Sequence, residues 1–429
     1  MTATPPVEAQ SGDTSAPRPR LSGAFNAQLA STGIANLADG ILSTVAPLVA
    51  LGLTASPVQI SMITAAGWLP WLLLGLFAGV VVDRRDRKSI QVVALVVRAL
   101  VLAVAAAAAA TGSLTMGLLL VVVLIYGITE VFADLAATAI VPQLVPADRL
   151  EAANGRVVGV QQVANSFLGA PVGGALLIAG SAAGFGAAGG LAALAGVVLL
   201  RGMRGSYRPR PTDVRGGGPM GPWGQVRDGV RFLFRHPVLR PLVITGSVLN
   251  FAMTGYFAVF VLWAVGPSSA IGLTSSQYPL LMLGFALGAV GGSLVVEAVR
   301  RRLGELPTIV ITLVLSLLLM VVPVWWPNGW IVAADLALIG ALNTIGNVAS
   351  RSMSQRLVPE GLQGRVNGAS KTLGFGLMPL GAVCAGVVAE GFGLATTFIA
   401  AVVVSLLACG YLVLALARRT STTPNHQAG

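Results

Sequence analysis

The chain has 429 residues, 55% of them hydrophobic and only 10% charged, with a mean hydropathy of +0.82. A soluble domain carries about 25% charged residues, so these values exclude a soluble enzyme, a disordered protein and a disulfide scaffold. They leave an integral membrane protein with room for many spans. The formal charge of +11 rests on 25 arginines and 2 lysines, which fall in short clusters between apolar stretches, so loop charge explains it better than nucleic-acid binding.

In chain order, residues 1–21 are rich in Pro, Ser and Thr without an apolar core. They read as a disordered cytoplasmic tail rather than a signal peptide. Twelve stretches then have the length and hydropathy of a transmembrane helix. Their bounds are Phe25–Leu51, Val58–Val82, Ile90–Ala110, Leu114–Val141, Leu150–Ala179, Gly184–Leu200, Leu239–Val265, Ser276–Val299, Leu306–Pro323, Trp330–Leu357, Leu362–Glu390 and Ala395–Leu416. The expected fold class is an all-α polytopic membrane protein. Its expected units are a six-helix half over 22–202, a linker over 203–237, a second six-helix half over 238–417 and a tail over 418–429.

Basic residues follow every even-numbered span, among them Arg84, Arg85, Arg87 and Lys88 after the second and Arg300, Arg301 and Arg302 after the eighth. The odd-numbered connections contain neither Lys nor Arg. By the positive-inside rule both termini are cytoplasmic. Within the linker, Trp223, Val226, Val230, Leu233 and Phe234 alternate with Arg227, Asp228 and Arg231, the pattern of an amphipathic helix lying on the inner leaflet.

The two halves repeat. Val145-Pro146 and Asn154-Gly155 recur as Val358-Pro359 and Asn367-Gly368 at an offset of 213. Gly79, Asp83 and Arg87 recur as Ser293, Glu297 and Arg301 at an offset of 214. Parallel six-helix repeats are a transporter layout, with substrate held between the halves near the bilayer midplane.

The loop Gly79-Val-Val-Val-Asp83-Arg84-Arg85-Asp86-Arg87-Lys88 resembles the signature loop of the major facilitator superfamily. Leu144-Val145-Pro146, Asn154-Gly155 and Gly169-Ala170-Pro171-Val172-Gly173-Gly174 look like its twelve-helix drug-export branch, which includes macrolide efflux proteins and the enterobactin exporter. Asn36-Leu37-Ala38-Asp39-Gly40 also fits. The chain departs from the branch in having Ala170 where Gly usually precedes the proline, and in lacking the fourth-span arginine of other proton-coupled exporters. The resemblance implies a conformational latch of Gly79, Asp83, Arg84, Arg87 and Lys88. In it, Asp83 caps the eleventh helix, where the dipole favours a carboxylate, and Arg87 links to Asp134. It implies a helix bend at Pro171, Gly173 and Gly174.

Ionisable groups inside spans are costly and mark function. Asp39 sits mid-span in the first helix, and Glu130 and Asp134 share one face of the fourth. These three are the candidate proton carriers, with Na⁺ the alternative ion. Arg98 lies at the depth of Glu130 and Asp134, which predicts an ion pair with one of them and leaves Asp39 unpaired. At the repeat offset the acids become Asn343 and Asn347, which cannot titrate, so the first half is expected to carry protons and the Asn pair to help bind substrate. Asn36, Arg98, Tyr126, Asn250, Tyr256, Phe260, Asn343, Asn347 and Lys371 are the substrate-contact candidates; for each aromatic, packing is the alternative reading. Asp335 and Glu390 read as interfacial. Gly75-x3-Gly79 and Gly284-x3-Gly288-x3-Gly292 let helices approach closely.

No nucleophile–His–acid set, metal spacing or nucleotide loop occurs, so no cofactor is expected and the driving force is an ion gradient. The combined expectation is a monomeric, multi-pass transporter of the cell membrane that exports small amphipathic compounds against protons. Proton-coupled uptake, or a lipid-handling or sensory role without flux, are the alternatives.

Overall fold

A computed structural model describes residues 22–208, 222–266, 268–357, 370 and 372–420. Among these, eleven segments are long and apolar enough to cross a membrane. They are Gly23–Leu53, Pro57–Gly75, Arg87–Ala110, Met116–Leu144, Ser181–Gly202, Leu239–Ala264, Tyr278–Leu303, Glu305–Trp325, Gly329–Ser350, Thr372–Phe392 and Leu394–Ala415. The expected fifth span lies between the fourth and sixth as one continuous helix over 150–178, about 43 Å long at 1.5 Å per residue. It falls short on hydropathy because Glu151, Asn154, Arg156, Gln161 and Gln162 crowd its first half. Counted with it, the spans number twelve. The termini beyond residues 22 and 420, the linker over 209–221, Val358-Pro359, Asn367-Gly368 and Lys371 lie outside the described residues.

Local chemistry sets the helix starts. Ser22 accepts from Phe25 N (3.1 Å) and donates to Leu144 O (3.1 Å), fastening the first span to the end of the fourth. Ser56 caps the second span with Pro57 in its first turn, Asp86 caps the third through Ser89 N (2.9 Å), and Thr115 caps the fourth. Gly180 and Gly393 stand 213 residues apart, each at positive φ (107° and 87°), and each turns the chain between consecutive spans, fifth to sixth and eleventh to twelfth.

The packing order also repeats. The first span lies on the fifth and sixth, the second on the fourth, and the third on the fourth and sixth; six spans later the seventh lies on the eleventh and twelfth, the eighth on the tenth, and the ninth on the tenth and twelfth. Each half has its own apolar core, one built around Ile41, Val45, Leu102 and Phe185, the other around Phe260, Val332, Leu336 and Phe398. The second span crosses the eleventh, and the fifth crosses the eighth, to join the halves.

Those crossings cluster at the end away from the linker. Ser56 Oγ donates to Glu390 Oε2 (2.6 Å), which also accepts from Val58 N (3.2 Å). A Cβ on Gly386 would stand 2.0 Å from Ser61 Oγ, and one on Gly174 would stand 2.5 Å from Pro279 Cγ. Nearer mid-span, Trp68 and Trp71 flank Phe375 at 5.5 and 5.7 Å. Gly284, Gly288 and Gly292 pack against the Ala333, Ala337 and Ala341 backbone of the tenth span, inside one half. Gly75 and Gly79 have nothing within 4 Å of a Cβ, so the close approach expected there is not made in this conformation.

The linker helix runs over Pro222–Arg235. Leu233 is buried, and with Val230 and Phe232 it packs on Leu239 and Val243 of the seventh span. Val230, Phe232 and Leu233 thus lean on protein, while Phe234 of the same helix stays 42% exposed.

Candidate functional site

An ion cluster lies within the first half. The Arg98 side chain is only 3% exposed, and its Nη1 pairs with Asp39 Oδ1 at 2.8 Å. The expected pairing of Arg98 with Glu130 or Asp134 is therefore corrected: depth counted along two helices takes no account of the rotation that turns Arg98 toward the first span. Its Nε donates to Thr129 Oγ1 (3.1 Å), which in turn donates to Tyr126 O (2.6 Å). Its guanidinium lies over the Tyr126 ring, 4.4 Å from the centroid, in cation–π geometry. The Tyr126 hydroxyl donates to the same Asp39 Oδ1. Tyr126 is 4% exposed and occupied by these contacts, so it buttresses the pair instead of offering a free substrate surface.

A cavity of about 70 Å³ opens beside this cluster. Asn36, Asp39, Arg98, Glu130, Asp134 and Gln161 line it, so all three candidate proton carriers share one space. Asn36 Nδ2 is tied to Thr32 O (2.9 Å), which turns its carbonyl outward. Gln91 also lines it and accepts from Gln28 Nε2 at 2.8 Å. Thr129, Gln28 and Gln91 were not singled out from the sequence. Their signal was a polar side chain inside an apolar span.

The second half holds a larger cavity, about 300 Å³, between the seventh, ninth, tenth and twelfth spans. Asn250, Asn343 and Asn347 line it, with Thr245, Thr312 and Ser316. Asn347 Nδ2 donates to Asn343 Oδ1 (2.6 Å) and Asn343 O (3.0 Å). Thr245 donates to Ala408 O (3.1 Å), Thr312 to Thr308 O (2.7 Å), Ser316 to Leu313 O (2.8 Å) and Asn250 to Gly374 O (3.2 Å). Thr245, Thr312, Ser316 and Asn250 thus each donate to a backbone carbonyl, and Leu and Met side chains make the apolar part of the lining. Thr312 and Ser316, four apart on one helix face, could have been found by that spacing.

Tyr256 and Phe260 do not reach either cavity. They are 2% and 0% exposed, stack at 5.6 Å, and belong to the core with Phe398; the Tyr256 hydroxyl donates to Met320 O (3.1 Å). Their assignment as substrate contacts is corrected to packing, since their helix turns that face inward. Asp335 is also buried, at 6% exposure, rather than interfacial. Glu390 is exposed at a helix end, as expected.

At the linker end, Arg87 Nη1 donates to Ala139 O of the fourth span (2.8 Å), one turn beyond Asp134. The expected Arg87–Asp134 pair is thus replaced by a backbone contact. Lys88 Nζ donates to Met203 O, binding the third span to the sixth. Asp86 accepts from Ser206 Oγ, Ser89 N and Tyr207 N (2.9 Å). Partial burial pushes the Asp86 carboxyl up, but these bonds outweigh it and hold the group below its ordinary value of 3.8. Asp83 and Arg84 are exposed, and the start of the eleventh helix that Asp83 was expected to cap lies outside the described residues. In the second copy, Glu297 pairs with Arg300 (2.9 Å) and Arg301 (3.9 Å) of its own helix. In the fifth span a π-helical stretch, Val163–Gly169, ends just before Pro171, which has no N–H to return to the preceding turn. Gly173 then packs against Ile41, and Gly174 against Pro279.

Comparison with known proteins agrees on the class. Enterobactin exporters EntS of Salmonella choleraesuis and Salmonella typhimurium are each 28% identical over 340 residues, 75% of this chain and 78% of theirs. A bacterial homologue of the human lysosomal transporter Spinster, solved inward-facing and unoccupied, superposes with a TM-score of 0.70 at 16% identity, covering 91% of this chain and 96% of that one. The nucleoside transporter NupG superposes at 0.71 with 14% identity, covering 92% and 99%. The family described as Major Facilitator Superfamily matches residues 29–379 and 252–429. The protein is a multi-pass membrane transporter, and its chain belongs to the Major Facilitator Superfamily.

Proposed function

We propose that the protein exports small amphipathic compounds in exchange for protons, by alternating access between its halves. The observation that carries this reading is the Asp39–Arg98 pair at the edge of a cavity that Glu130 and Asp134 also line. A proton on Asp39 removes the charge that holds Arg98. The guanidinium is then free for the neighbouring carboxylates or for substrate, and the cluster has two arrangements that a proton selects. Export is supported by the enterobactin exporters among the relatives. The positive-inside pattern puts the linker end and both termini in the cytoplasm of a cell that carries the protein in its inner membrane. The crossings between halves, gathered at the opposite end, suit a state closed to the outside.

The second-half cavity supplies the substrate site in this reading. No ionisable residue lines it among the described residues, and the Thr245, Thr312 and Ser316 hydroxyls, whose protons go to backbone carbonyls, offer it acceptors. It suits an uncharged, apolar-bodied compound bearing several O–H or N–H donors. Asn250, Asn343 and Asn347 make the polar contacts. Asp83, Arg84 and Arg87 act as the latch at the linker end, and the bend at Pro171 lets the fifth span follow the motion.

The test is flux in proteoliposomes under an imposed pH gradient, across a panel of neutral phenolic and polyhydroxy amphiphiles. Proton-dependent movement toward the acidic side, lost in Asp39→Asn, supports the reading. Substrate movement in the same direction as the protons would establish uptake instead. Flux driven equally by Na⁺ would replace the ion, and no flux for any compound would sink the export assignment for this substrate class.

A further inference from the structure

A third cavity lies outside both sites, where the linker helix meets the seventh and twelfth spans. It measures about 330 Å³ and is lined by Phe234, Arg235, His236, Arg240, Tyr411 and Leu414, among others. Arg235 and Arg240 are exposed and have no ion-pair partner among the described residues, and no carboxylate lines the space. Two unpaired guanidiniums facing one concave pocket call for an anion. His236 Nδ1 accepts from Val238 N and Leu239 N (both 3.2 Å), which fixes the loop between the two arginines.

The walls show which anion. Val403, Val404, Leu407, Tyr411 and Leu414 of the twelfth span are all exposed, Leu407 at 70% and Leu414 at 60%. Their spacing of three and four residues makes one continuous stripe on the lipid-facing side of the helix. The stripe runs directly into the basic pocket, and Phe234 (42% exposed) extends it on the other wall. A free phosphate has no use for such a stripe. A phospholipid matches both parts, with its phosphodiester between Arg235 and Arg240 and its acyl chains along Leu407 and Leu414.

We propose that this pocket binds an anionic phospholipid of the leaflet on the linker side and so anchors the linker helix to the second half. The proposal stands whatever the transported substrate or its direction. Native mass spectrometry and thermal melting of the purified full-length protein test it, with phosphatidylglycerol, phosphatidylcholine and inorganic phosphate as probes. Wild type is expected to retain phosphatidylglycerol about 30-fold over phosphatidylcholine, from two surface arginines. In Arg235→Gln/Arg240→Gln that preference drops to a few-fold, while Arg227→Gln/Arg231→Gln, on the same helix but outside the pocket, keeps it. Leu414→Gln, which keeps every charge, also weakens lipid retention. Equal loss in the two arginine pairs overturns the proposal in favour of diffuse surface charge. Stabilisation by inorganic phosphate as strong as by the lipid, unaffected by Leu414→Gln, overturns it in favour of a free-anion site.

Discussion

Arg98 satisfies three neighbours with one planar group: Asp39 through Nη1, Thr129 through Nε, and the Tyr126 ring through its face. Lysine has neither the fork nor the plane. Arg98→Lys is therefore expected to lose transport nearly as fully as Arg98→Ala. Arg98→Ala leaves a buried carboxylate without its cation and should cost about 3–5 kcal/mol, visible as a lower melting temperature in detergent. Asp39→Asn/Arg98→Ala should recover part of that stability without recovering transport. Tyr126→Phe keeps the ring and loses only the hydroxyl, so it should cost about 1 kcal/mol. Asp86 gives a pH-dependent case. Its carboxyl is held below 3.8 in the folded protein, so its bonds to Ser206 and Tyr207 stabilise fully above that value and fade as pH falls through the lower one. The melting difference between wild type and Asp86→Ala should be constant from pH 7 to pH 5 and shrink only as pH falls below 3.8.

At the scale of the helix, the same glycine spacing has opposite consequences in the two halves. A Cβ at Gly288 would lie 1.7 Å from Ala337 O, and backbone cannot yield as a side chain can. Gly288→Ala should cost more than the about 1–3 kcal/mol of ordinary overpacking and lower membrane abundance. Gly79→Ala meets nothing within 4 Å and should leave stability unchanged. If it nonetheless abolishes flux, Gly79 is needed in the alternate conformation. The spans themselves were legible in the sequence, because hydropathy over twenty residues is a strong signal. Which way a helix is rotated was not. Arg98 and Glu130 sit at one depth, yet Arg98 faces Asp39. Tyr256 and Phe260 carry the same aromatic signature as a cavity wall, yet face the core. Asp335 was read from its place near a helix end, where burial depends on neighbours hydropathy does not see. Asn250, Asn343 and Asn347 do share one cavity; of the hydroxyls that complete it, Thr312 and Ser316 were open to detection by their four-residue spacing, whereas a lone Thr245 is too common in apolar helices to be picked out.

For the whole molecule, the halves meet at Ser56–Glu390, Gly386–Ser61 and Gly174–Pro279, all away from the linker. That end must part if the transporter is to open there. Ser56→Cys/Glu390→Cys, in a chain whose exposed Cys384 is replaced by Ser, should be arrested by a short thiol-reversible cross-linker and released by reductant. Flux that continues through the cross-link would show that this end does not open during transport.

Two of those three contacts set a neighbour's small side chain, Ser61 or Pro279, against bare glycine backbone, and the bulky contact between the halves, Phe375 with Trp68 and Trp71, lies nearer mid-span. A joint of this kind behaves as a bearing. If the halves rock as proposed, no large side chain has to leave a pocket at that end, and the contact of Phe375 with Trp68 and Trp71 is the bulky one to be released. Gly386→Val would fit it with a brake. The expected signature is turnover slowed at saturating substrate with binding unchanged, and a steeper dependence of turnover on temperature.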